Sequence, residues 1–78
     1  MHSYFYCTVI FYDTKNKVFF TSESVVKSGK GWVKLLGDII EIMDGKAPFS
    51  IEEVEGGRVY KFPNGKAEIK KRLITCYE

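Results

Sequence analysis

Apolar and polar positions alternate with a period of two at the start of the chain. They shift to a helical period in the middle and return to alternation at the end. Residues 4–12 read YFYCTVIFY. In an extended strand Phe5, Cys7, Val9 and Phe11 point one way, and Tyr4, Tyr6, Thr8, Ile10 and Tyr12 the other. A second strand, KVFFTSESVV, follows a polar turn around Thr14, Lys15 and Asn16, and Asn16 suits the left-handed corner such a turn needs. Trp32, Leu35, Leu36, Ile39, Ile40, Ile42 and Met43 then recur at helical spacing, with Lys34, Asp38, Glu41 and Asp44 as the polar stripe. Glycines before Trp32, and Gly45 and Pro48 after Met43, punctuate this helix. Gly37 in its interior costs about 1 kcal/mol relative to alanine. It is read as a place where another segment comes close.

The last third predicts a meander. SIEEVE and RVYKF flank Gly56-Gly57, and RVYKF and KAEIK flank Asn64-Gly65. A two-residue Asn-Gly turn sets Phe62 opposite Ala67, Lys61 opposite Glu68 and Tyr60 opposite Ile69. Ile69, Leu73 and Tyr77 recur every four residues, as a short helix would have them, but the β-rich ending ITCY favours a strand. The expected order is ββαβββ in a single domain over residues 1–78: an α+β fold, with an antiparallel sheet of four to five strands and one helix packed on one face.

This pattern poses a covering problem. Five strands spaced about 4.8 Å apart make a sheet roughly 24 Å wide, and a helix with its side chains is only about 10–12 Å across. The first-strand face bearing Tyr4, Tyr6, Ile10 and Tyr12, with Phe19 or Phe20 beside it, is then expected to be an exposed apolar patch of the kind that marks an interaction site. Curling of the sheet is the competing outcome.

Composition sharpens the picture only in its distribution. The net charge is +2, but residues 13–34 carry +3, residues 38–55 carry −5 and residues 58–72 carry +5. An acidic middle between basic flanks predicts two electrostatic sides. No Lys or Arg precedes the first apolar run, and that run is far short of the roughly 20 residues that span a bilayer as a helix. The expected setting is therefore cytoplasmic and away from membranes, with Cys7 and Cys76 as free thiols; a disulfide between neighbouring terminal strands is the alternative.

Chemistry-bearing groups are sparse. The one histidine is His2, near the terminus, and no short paired spacing of cysteines exists, so neither a metal nor another cofactor is expected. Asp38, Glu41 and Asp44 sit on a solvated stripe rather than in a perturbed pair. SGKGW places Lys30 at a helix N-terminus without the Walker spacing. Lys70, Lys71 and Arg72 could touch nucleic acid or simply guard a terminal strand.

The expectation is a non-enzymatic protein-binding module, an accessory or inhibitory protein of phage or mobile-element type, that occupies a surface of a target protein or forms a homodimer. Its partner contacts are Tyr4, Tyr6, Ile10, Tyr12, Asp38, Glu41 and Asp44, and Glu52, Glu53 and Glu55 extend the acidic patch. The alternative is a small single-stranded nucleic-acid binder, with Lys30, Lys70, Lys71 and Arg72 as anion contacts beside the tyrosines.

Overall fold

The computed structural model describes residues 2–76, with side chains from Tyr4 to Ile74. The elements in chain order are β1 (His2–Tyr12), β2 (Val18–Val26), α1 (Gly29–Ile42), β3 (Ser50–Val54), β4 (Gly57–Phe62) and β5 (Gly65–Cys76). They form a five-stranded antiparallel sheet of order β2-β1-β5-β4-β3 with one helix, an α+β fold. The C-terminal segment is strand throughout its described length, and it pairs with β1 from His2↔Cys76 to Tyr12↔Lys66.

Alternation in β1 has its expected effect. Cys7, Val9 and Phe11 are fully buried beneath α1, together with Leu35, Ile39 and Met43 of the helix side and Tyr60, Phe62, Ala67 and Ile69 of the neighbouring strands. β2 and β3 lie at opposite edges of the sheet, so the connection through α1 has to cross one face. The helix ends as a Schellman-type turn: the Gly45 N–H donates to the Ile40 carbonyl (2.8 Å), with Asp44 at φ 63° and Gly45 at φ 72°. Asp44 therefore lies past the helix and not on its stripe. Its carboxylate accepts from the Asn64 side-chain amide (3.0 Å), tying the helix exit to the β4–β5 turn.

Three local expectations are corrected. The first is the β4–β5 register, in which Tyr60 faces Ala67, Lys61 faces Lys66 and Phe62 faces Gly65. Pro63 and Asn64 form the corner, because proline's fixed φ suits the first corner position, and Asn64 stays out of the left-handed region a mirror-type Asn-Gly turn would require. The like-charged Lys61–Lys66 pair is offset by Glu52, whose carboxylate is 2.8 Å from Lys61, and by Glu68, 3.7 Å from Lys66.

The second correction concerns Phe19 and Phe20. Between Phe11 and Tyr12 the β1–β2 register slips, so that Phe11 faces Phe20 and Tyr12 faces Val18. This bulge brings both rings to Phe11, at 6.1 and 5.7 Å between centroids, and neither joins the tyrosine face. The third is Gly37, where a Cβ would meet nothing within 4 Å. No described segment approaches it. Gly37→Ala is expected to raise stability by about 0.5–1 kcal/mol, read as a higher urea midpoint at unchanged slope.

Candidate functional site

The two faces of the sheet differ in kind. On the face away from α1, β1 presents Tyr4, Tyr6, Thr8, Ile10 and Tyr12, and the paired β5 positions are Ile74, Arg72, Lys70, Glu68 and Lys66. Cations lie over the rings: Lys27 is 5.1 Å from the Tyr4 centroid, Arg72 is 5.6 Å from Tyr6 and Lys66 is 4.7 Å from Tyr12. These side chains explain how so aromatic a strand tolerates water. The rings are half-buried, with the cationic ends of these side chains over their faces.

Glu23 and Glu68 add to this lattice. The Tyr6 hydroxyl donates to the Glu23 carboxylate, which raises the Tyr6 pKa above its ordinary 10.0; burial and the Glu23 charge add to the shift, and Arg72 opposes it. Burial, followed by the charge of Glu68 and a hydrogen bond to it, raises Tyr12. A raised phenol pKa means the folded chain holds its proton after the unfolded chain has lost it. The stability contribution is therefore complete below the ordinary value of 10.0 and is lost as pH rises through the folded value. Spectrophotometric titration is expected to show phenols ionising late, and Glu23→Gln is expected to move one of them earlier.

Some of the large exposed apolar side chains share the tyrosine face, since Val18 and Val25 lie opposite Tyr12 and Tyr6. Val18, Phe19, Phe20 and Val25 stand on β2, and Phe49, Ile51 and Val54 at or beside β3, so both clusters are at sheet edges. On the helix side, α1 leaves a depression on each flank. Toward β4, a pocket of about 290 Å³ is lined by Phe5, Trp32, Leu36, Tyr60 and Ile69, with Arg58 and Lys71 at its polar positions. Lys71 rests 5.6 Å from Phe5 and 5.8 Å from Trp32, and Arg58 Nε is 2.7 Å from the Glu53 carboxylate.

Toward β2, a groove of about 560 Å³ has an apolar floor that includes Phe11, Phe20, Leu35, Ile39 and Ile42. Ser22 and Ser24 contribute from β2, and Asp38 and Glu41 from the helix. Asp38 and Glu41 are exposed, and neither is ion-paired among the described residues, where the salt bridges are Glu53–Arg58, Glu52–Lys61 and Glu68–Lys66. The Ser24 Oγ is buried beside the groove without a hydrogen-bond partner in the structure.

The structure thus divides the residues that the sequence pattern grouped. Tyr4, Tyr6, Ile10 and Tyr12 lie on one side of the sheet and the helical Asp38 and Glu41 on the other, so one flat partner surface cannot meet both sets. Asp44 serves the helix exit, and Glu52 and Glu53 are paired to cations. Lys70 and Arg72 belong to the tyrosine face. Lys71, opposite Cys7, belongs to the helix side. Lys30 is exposed in the first turn of α1, at a distance in sequence and topology from the β5 cations. The small residues Ser22 and Ser24, which open the groove, were missed; their signal was the period-two run Phe20, Ser22, Ser24.

Cys7 is buried and free, and burial pushes its thiol up, opposed by Lys71. The ladder places Cys76 opposite His2 and Cys7 opposite Lys71, five positions apart, or roughly 17 Å along the strand. That separation rules out a Cys7–Cys76 disulfide. Among the described residues no three His, Cys, Asp or Glu side chains converge as metal ligands, and no helix is long and apolar enough to cross a membrane. The chain matches no protein-family model, no curated protein and no solved structure.

Proposed function

We propose that the chain is a non-catalytic protein-binding module that receives a basic, apolar-bearing segment of a target protein in the groove between α1 and β2. One observation supports this reading above the others: Asp38 and Glu41 stand without ion-pair partners beside an apolar floor that includes Phe11, Phe20 and Leu35. Exposed carboxylates favour a cationic partner and set its register, and the floor supplies apolar area to bury. Occupying a basic surface in this way suits an accessory or inhibitory protein.

The test is fluorescence anisotropy with a short labelled peptide alternating lysine and valine, and with the same peptide carrying glutamate for lysine. Binding of the lysine peptide alone, weakening as salt is added, is the expected result. Asp38→Lys with Glu41→Lys should reduce that affinity roughly tenfold or more, about 1.4 kcal/mol, and Tyr6→Ala should leave it unchanged. Equal binding of both peptides, or indifference to the two helix substitutions, sinks the reading.

A second reading has one observation in its favour. Lys66, Lys70 and Arg72 share a face with Tyr4, Tyr6 and Tyr12, as a stacking surface for single-stranded nucleic acid would require. It demands oligonucleotide binding that falls steeply with salt and loses about 1–3 kcal/mol on Tyr6→Ala. Absent or salt-independent binding removes it.

A further inference from the structure

The two edges of the sheet are not equally protected. β3 is short, and its Ser50–Val54 sequence holds Glu52 and Glu53 at its centre, both engaged with cations of β4. Charges on a short strand are the usual guard against edge pairing. β2 is longer and less charged, and its one irregularity is the bulge at its Phe19 end. It runs for nine residues as VFFTSESVV, carries only Glu23 as a charge, contains no proline or lysine, and pairs only on its β1 side in the described sheet. Phe20 projects from it at 47% exposure, and Ser22 and Ser24 leave a hollow on the same face.

We propose that β2 pairs antiparallel with β2 of a second copy of this chain, about a two-fold axis at Ser22. Ser22 is the midpoint of Val18–Val26, and the regular ladder of this register runs from Phe20 to Ser24, short of the bulge at Phe19. It sets Phe20 opposite Ser24 of the other copy, twice, which places each protruding ring against the small residue that opens the groove. Within the strand Thr21 falls opposite Glu23, so the two carboxylates do not meet directly. An axis at Glu23 would oppose two carboxylates. Moving the axis to Thr21 would shorten the regular ladder to Phe20–Ser22.

The inference deepens the reading of the groove and rests on it in one respect, the stoichiometry. In the paired sheet the α1–β2 grooves of the two copies meet across the β2–β2 seam. The two grooves then face each other as one cleft. Asp38 and Glu41 of both copies flank it. One basic segment is expected to bind per two chains.

The experiment is light scattering across a hundredfold range of concentration on wild type, Phe20→Lys, Ser24→Lys and Ile51→Lys, with circular dichroism to confirm folding. Wild type and the β3-edge variant Ile51→Lys should reach twice the monomer mass, and both β2 variants should remain monomeric. Ser24→Lys covers the case in which loss of the Phe20–Phe11 contact unfolds the first variant. A wild type that stays monomeric at the highest concentration overturns the proposal. So does a dimer that survives either β2 change or is lost with Ile51→Lys. Titrating the lysine–valine peptide into the same samples separates the two ideas. A dimer that ignores the peptide contradicts the groove reading alone, and a monomer that binds it contradicts only the pairing.

Discussion

Phe11→Ala is expected to cost about 3–5 kcal/mol, a large fraction of the chain's stability. Phe11 is completely buried, and the rings of Phe19 and Phe20 lean on it. Truncation removes the transfer energy of the ring and opens a void beneath α1. The β2 bulge then has no ring to close over. A chain of 78 residues has on the order of 4–12 kcal/mol of total stability, so the loss is a large fraction of it. Urea unfolding followed by Trp32 fluorescence measures it; a loss below about 1 kcal/mol would place Phe11 outside the core.

Gly57→Ala is expected to be nearly as damaging, for a different reason. A Cβ at Gly57 would collide with the Ile69 carbonyl oxygen and lie 3.2 Å from the Lys70 Cα, both of them backbone. Side chains can swing away from such a clash, but a paired strand moves only by breaking its ladder. Relief therefore requires opening β4 from β5 at the Gly57↔Lys70 end, where the Lys71 N–H also donates to the Gly56 carbonyl (2.9 Å). We expect a cost of about 3 kcal/mol or more, at the upper end of overpacking effects. The loss of amide protection should be largest in β3 and β4, which join the sheet only through β5. Wild-type protection throughout those strands would contradict this. The contrast with Gly37→Ala, the same chemical change expected to stabilise, isolates the backbone contact as the cause.

Much of this architecture was legible because local pattern and tertiary role agree. The Phe5, Cys7, Val9, Phe11 alternation and the Leu35, Ile39, Met43 spacing each name a buried face, and both faces are where the pattern puts them. The β4–β5 register was misread because Asn64-Gly65 is a strong hairpin signal in isolation, whereas Pro63 beside it already fixes the corner. The fate of Phe19 and Phe20 was not legible, since two adjacent aromatics carry no phase and the bulge at Phe11/Tyr12 is a property of the pairing. Strand order is likewise tertiary. Without it, the tyrosines and the acidic helix stripe could be grouped in one site, when α1 has to cross the opposite face. The split between Lys71 and its neighbours Lys70 and Arg72, by contrast, follows from alternation once the segment is read as a strand.

The groove between α1 and β2 is tested most directly by amide chemical-shift mapping on the isotope-labelled chain as the lysine–valine peptide is added. Shifts concentrated at Phe20, Ser22, Ser24, Asp38, Glu41 and Ile42, absent with the glutamate peptide, are the expected result. Shifts confined to Tyr4, Tyr6, Tyr12 and Arg72, or no shifts at saturating peptide, would contradict it.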